Sequence, residues 1–120
     1  MAMTWKDIVA EAKKGIALLQ PAEVKTRLDQ PSEVILIDVR EKEEFDQGHL
    51  PKSFHVARGV LEMTLEKNLR DTQREIILYC AGGGRSAVAA QALKRMGYQN
   101  VASMEGGFEG WKRSGYPTEG

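Results

Sequence analysis

The sequence predicts a three-layer α/β/α domain built on a central, mainly parallel five-stranded sheet. Three observations lead there. Val34-Ile35-Leu36-Ile37-Asp38 and Ile76-Ile77-Leu78-Tyr79 are apolar at consecutive positions, as in strands covered on both faces. Segments with helical spacing alternate with such runs along the whole chain, the pattern of a parallel sheet joined by crossover helices. At 120 residues, with 42% hydrophobic and 28% charged content, the chain suits one compact core, and no linker or internal repeat divides it.

The elements follow in order. Residues 1–15 read as an N-terminal amphipathic helix packed on the domain, with Trp5, Ile8, Val9 and Ala12 on one face among Lys6, Asp7, Glu11, Lys13 and Lys14. Ile16 to Leu19 is a short strand, and Pro21 stands where a first helical turn accepts proline, ahead of a helix over Ala22–Leu28. The strand Val34–Asp38 leads to one or two helical turns over Glu41–Phe45, which Gly48 ends. Phe54–Val56 is a short strand, Val60–Leu69 a helix, and Ile76–Tyr79 the next strand. A long helix over Ser86–Met96 ends at Gly97, and Val101–Ser103 and Phe108–Arg113 supply a last strand and a closing helix.

Chemistry concentrates at Cys80-Ala81-Gly82-Gly83-Gly84-Arg85-Ser86, which holds the only cysteine. In a parallel sheet, ligands bind at the carboxyl ends of strands, and Cys80 stands at such an end. Three consecutive glycines let the backbone curl tightly and turn its N–H groups toward one point. Converging amide donors and a helix N-terminus favour the thiolate, so Cys80 is the candidate nucleophile for a small, anion-bearing substrate. The N–H groups of Ala81, Gly82, Gly83, Gly84, Arg85 and Ser86 are the expected substrate contacts. Arg85 has two readings, an oxyanion contact or a brace against a carboxylate such as Glu44.

Other classes fit less well. Gly82-x-Gly84-x-x-Ala87 matches a dinucleotide fingerprint, but too little chain follows it, and no Gly-Lys-Ser/Thr completes a phosphate loop. A phosphatase or arsenate reductase loop is one residue longer, wide enough for a tetrahedral phosphate, and needs an acid for its leaving group. Seventeen basic and seventeen acidic residues give no electrostatic footprint for nucleic acid. No apolar stretch approaches the roughly 18 residues that span a bilayer, and the N-terminal segment lacks the apolar core of a signal peptide. One cysteine with two histidines builds no metal site. No cofactor is expected, and the unpaired thiol fits a reducing, cytoplasmic setting.

Several motifs together resemble the rhodanese-like sulfurtransferases over about residues 16–118. They are the Cys80-x4-Arg85 loop; Asp38-Val39-Arg40, Glu44-Phe45 and Gly48-His49-Leu50-Pro51; and Gly106-Gly107-Phe108-x-x-Trp111 with Gly115-Tyr116-Pro117. The resemblance implies sulfur transfer through a persulfide on Cys80. A small anionic donor such as thiosulfate would load it, and cyanide, a thiol or a protein cysteine would collect the sulfur, without nucleic acid or membrane. A non-turnover persulfide carrier is the competing class. The resemblance also implies that Asp38, Arg40, Glu44 and His49 hold structure, as an ion pair and capping contacts. Ala81 stands where many members carry Arg, Lys or Gln, a position that helps choose the donor, and Glu105 replaces a residue that is frequently neutral or basic.

Overall fold

The computed structural model describes residues 2–120; Met1, part of the expected N-terminal helical segment, lies outside them. Five strands form one sheet: β1 (Ala17–Leu19), β2 (Ile35–Asp38), β3 (Ser53–His55), β4 (Ile76–Tyr79) and β5 (Val101–Met104). Their order is β1-β5-β4-β2-β3, and every pairing is parallel. The helices are α1 (Trp5–Lys14), α2 (Pro21–Asp29), α3 (Lys42–Asp46), α4 (Leu61–Asn68), α5 (Gly84–Arg95) and α6 (Gly107–Arg113), with a 3-10 turn at Arg58–Val60 before α4.

Side-chain alternation on the two central strands divides the core into two layers. Ile37, Ile76, Leu78 and Cys80 face α4 and α5, where they meet Leu61, Leu65, Ala89, Ala90 and Leu93. Leu36, Ile77 and Tyr79 face the other way, onto Val24 and Leu28 of α2 and Phe108 and Trp111 of α6. With both faces covered, β4 has every residue buried. Since all strands run parallel, their carboxyl ends share one edge, and Asp38, Cys80 and Glu105 are brought to it from β2, β4 and β5.

Three differences from the sequence pattern are informative. Helix α5 begins at Gly84, not Ser86, because Gly83 takes φ +107° as N-cap and lets Gly84 and Arg85 enter the first turn. The segment between β4 and α5 is therefore only Cys80 to Gly83. The apolar face of α1 is only partly covered: Ala12 is fully buried, while Trp5 stays 55% and Ile8 38% exposed. The helix starts where a capping box on Thr4 and Asp7 closes its first turn. Finally, the helix expected over Val60–Leu69 runs from Leu61 to Asn68, because residues 58–60 wind more tightly as a separate 3-10 turn.

Candidate active site

Cys80 ends β4 and points toward the first turn of α5. Its Sγ accepts N–H groups from Gly83 at 3.1 Å and from Ser86 at 3.4 Å. Two of the four donors left over at a helix N-terminus are thus aimed at the sulfur, where the helix dipole favours negative charge. The expected ring of donors from Ala81 to Ser86 is narrower in the structure, with only these two recorded on Sγ. The residue is 1% exposed. Ala81, Gly82, Gly83 and Gly84, which follow it, carry nothing larger than a methyl group.

A second contact was not legible in the sequence. Ser86 Oγ lies 3.5 Å from Cys80 Sγ and 2.8 Å from the Oγ of Ser103 on β5, and both serines are fully buried. Ser103 has no other hydroxyl partner recorded among the described residues. Ser86 Oγ also lies 3.4 Å from the Gly83 carbonyl, so this one hydroxyl is within reach of Cys80 Sγ, Ser103 Oγ and Gly83 O.

The carbonyl side of the cysteine is held as firmly. Phe108 N–H donates to Cys80 O at 2.8 Å, and Glu109 N–H to Ala81 O at 3.1 Å. This seats the start of α6 on the back of the loop, and only glycine fits at the crossing. A β-carbon on Gly107 would stand 2.5 Å from each of those two carbonyl oxygens.

Arg85 leaves the loop on its far side and forms a two-pronged ion pair with Glu44 of α3, at 2.9 and 3.1 Å. Of its two readings, the structure displays the brace. Hydrogen bonding from Arg85 holds the Glu44 carboxyl down at about 2, so the pair stays charged across ordinary pH. Asp38 and Arg40 make a buried, bidentate pair, and Arg40 also donates to the Gly48 carbonyl at 2.7 Å. Burial is the largest single influence on Arg40 and opposes its charge, but the hydrogen bond and charge of Asp38, together with the charges of Tyr79 and Glu44, raise the guanidinium above its ordinary value. Burial likewise raises Tyr79, whose hydroxyl accepts Leu50 N–H at 3.1 Å.

Neither histidine touches Cys80. His49 stacks on Phe45 with ring centroids 3.9 Å apart and lies 3.0 Å from Leu50 O; His55 lies 2.8 Å from Arg40 O. Two clefts flank the loop. One, of about 220 Å³, brings Ala81 together with Arg40, Phe108 and Lys112. The other, of about 400 Å³, brings Gly82 and Gly84 together with Trp5, Lys6, Val9 and Lys13 of α1. Among the described residues, no cluster of three or more His, Cys, Asp or Glu side chains is placed to hold a metal.

The rhodanese-like domain model matches residues 20–114. The chain belongs to the rhodanese-like domain family. Among solved structures it is similar to a protein of unknown function and possible tyrosine phosphatase from Rhodopseudomonas palustris, at 32% identity, covering 99% of this chain and 96% of that one with a TM-score of 0.87. It is also similar to the polysulfide-sulfur transferase homodimer of Wolinella succinogenes, at 29% identity over 96% of this chain and 86% of that one, TM-score 0.81. A third is the thiosulfate sulfurtransferase of Pseudomonas aeruginosa, at 27% identity over 93% of this chain but 22% of that larger one, TM-score 0.83. The rhodanese-like sheet, wholly parallel here, bears out the expected three-layer architecture. No helix among the described residues is long and apolar enough to cross a membrane.

Proposed function

We propose that this rhodanese-like protein is a sulfurtransferase that carries sulfane sulfur as a persulfide on Cys80. The observation that carries the reading is the pair of N–H donors from Gly83 and Ser86 on Cys80 Sγ at the start of α5. Thiolate attack on the outer sulfur of thiosulfate forms the new S–S bond and breaks the old one. Sulfite leaves with its electron pair. Cyanide or a thiolate then attacks the outer sulfur of the persulfide and returns the pair to Cys80, a ping-pong cycle. Fixed donors stabilise the charge that develops, at a few kcal/mol each.

A buried sulfur beneath a loop without bulky side chains favours a small donor. The sulfurtransferases among its structural relatives support the same reading. Incubation with thiosulfate, polysulfide or a persulfide, followed by mass spectrometry, tests it: one added sulfur, removed by reductant and absent in Cys80→Ala, is expected. Thiocyanate formation from thiosulfate and cyanide separates a turnover enzyme from a carrier that loads but does not cycle. The likeness to a possible tyrosine phosphatase supplies the opposing outcome. Hydrolysis of p-nitrophenyl phosphate that depends on Cys80, with no persulfide formed, overturns the proposal.

A further inference from the structure

The helix α1 places one charge pattern beside the loop that bears Cys80. With about 100° between successive residues, and Trp5 as origin, Val9, Lys13, Lys6 and Ala10 occupy the sector from about 40° to about 140°. Asp7 and Glu11 fall between about 200° and about 240°, on the other side. The sector with the lysines is the one that faces the loop. A β-carbon on Gly84 would lie 3.3 Å from Trp5 Cζ2 and 3.3 Å from Val9 Cγ2, and the cleft of about 400 Å³ runs from these side chains to Gly82 and Gly84. Lys13 is paired with Glu105 at 2.8 Å, whereas Lys6 has no ion-pair partner among the described residues. Trp5, Ile8 and Met3 continue the surface outward as exposed apolar side chains.

The opposite flank differs. Glu109 of α6 reaches to 4.0 Å from where a β-carbon on Gly82 would be. The cleft on that side sets Arg40 and Lys112 against Glu44 and Glu109, whereas the α1 cleft is lined by Lys6 and Lys13 without a carboxylate, so the net pull on an anionic partner lies on the α1 side.

We infer that the α1 cleft binds the sulfur acceptor, and that this acceptor is a cysteine within an acidic peptide segment bearing an apolar residue. The inference rests on the sulfurtransferase reading of Cys80. The indole and Val9 take the apolar side chain, Lys6 takes a carboxylate, and the strip of Met3, Trp5 and Ile8 exceeds what a small inorganic acceptor can cover. In the transfer step the peptide thiolate attacks the outer persulfide sulfur. A peptidyl S–S bond forms, the Cys80 S–S bond breaks, and its electron pair returns to Cys80 Sγ. No outside oxidant or reductant is consumed.

The test loads the full chain from thiosulfate and measures sulfur transfer to Ac-Glu-Leu-Cys-Glu-amide and to Ac-Lys-Leu-Cys-Lys-amide. Each rate is divided by that peptide's own rate with a small disulfide, which removes differences in thiol reactivity. At low salt the acidic peptide should be favoured several-fold, as the exposed contact to Lys6 turns from attraction to repulsion between the two peptides. The preference should shrink at high salt. Lys6→Glu should abolish or reverse it, and because both peptides are compared within the same variant, any change in loading from thiosulfate cancels from the ratio. The serine peptide Ac-Glu-Leu-Ser-Glu-amide should quench tryptophan fluorescence saturably, and less so in Lys6→Glu.

Equal normalised rates for the two peptides overturn the inference. So does an acidic-peptide preference that persists unchanged in Lys6→Glu. If no persulfide forms at all, the transfer claim falls with the sulfurtransferase reading. The serine-peptide titration still decides whether the cleft takes an acidic segment.

Discussion

Replacing Gly107 by Ala tests whether α6 holds Cys80 in position from behind. The added β-carbon would meet Cys80 O and Ala81 O at 2.5 Å and the Ala81 carbonyl carbon at 2.6 Å. Carbon–oxygen contacts settle near about 3.3 Å, so loop and helix must part by roughly 0.8 Å. That movement stretches both hydrogen bonds joining them, Phe108 N–H to Cys80 O and Glu109 N–H to Ala81 O. Each is worth about 0.5–1.5 kcal/mol. Gly107 also has φ +55°, where a side chain costs about 1–2 kcal/mol. Together the destabilisation is about 2–5 kcal/mol.

A misplacement approaching 1 Å at the nucleophile can cost about 10²-fold in turnover. Gly115→Ala is the matched control: φ is +81°, but nothing lies within 4 Å of the added carbon, so only the dihedral cost remains. Urea denaturation and thiocyanate formation should show Gly107→Ala less stable than Gly115→Ala and nearly inactive, with Gly115→Ala active. Equal stability in the two variants, with full turnover in Gly107→Ala, would refute the idea that these carbonyls are clamped.

Ser86→Ala should cost about 1–3 kcal/mol, because it strands the buried Ser103 hydroxyl, and should slow alkylation of Cys80 several-fold at neutral pH. The double variant Ser86→Ala/Ser103→Ala should be more stable than Ser86→Ala alone by chemical denaturation. The Glu44–Arg85 pair lowers the folded carboxyl from 4.5 to about 2, so its stabilisation is complete above about 4.5 and is lost as pH falls toward about 2. A pH series of melting temperatures should show that acid-side dependence weakened in Glu44→Gln. If Arg85 serves as a brace, Glu44→Gln and Arg85→Lys should lower turnover together without a selective rise in the thiosulfate KM of the arginine variant. Asp38→Asn removes the carboxylate opposite a buried guanidinium and should cost about 3–5 kcal/mol by urea denaturation.

Much of this was written in local pattern. Consecutive apolar residues marked β2 and β4 as central strands, and both faces of each are in fact covered. Cys80 at a strand end was legible because strand, glycines and helix follow one another within a few residues. Long-range pairings were not. Glu44 and Arg85 are 41 positions apart, and both readings of the arginine satisfied the same residues until the geometry placed it on Glu44. Ser103 gave no signal at all, since a serine in a strand has no period that distinguishes a buried hydroxyl from a solvated one. The start of α5 was misplaced for a physical reason. Glycine has poor helix propensity, yet a left-handed Gly83 admits Gly84 and Arg85 to the first turn.

That early start bears on the chemistry. With α5 beginning at Gly84, the donors on the sulfur belong to a helix N-terminus, whose charge does not depend on a loop finding its shape. The Cys80 carbonyl meets the first turn of α6, so one residue joins two helix ends, through Sγ on one side and O on the other. A displacement at sulfur in this setting needs no proton donor, because the departing sulfite or thiolate is stable as an anion. The histidines agree with that economy: His49 and His55 are engaged with Leu50 O and Arg40 O, away from the thiol. An alkoxide leaving group would have to be protonated, but Glu109 near Gly82 is exposed and Glu44 is held ionised by Arg85. The arrangement therefore suits transfer between sulfur nucleophiles better than cleavage of a phosphate ester.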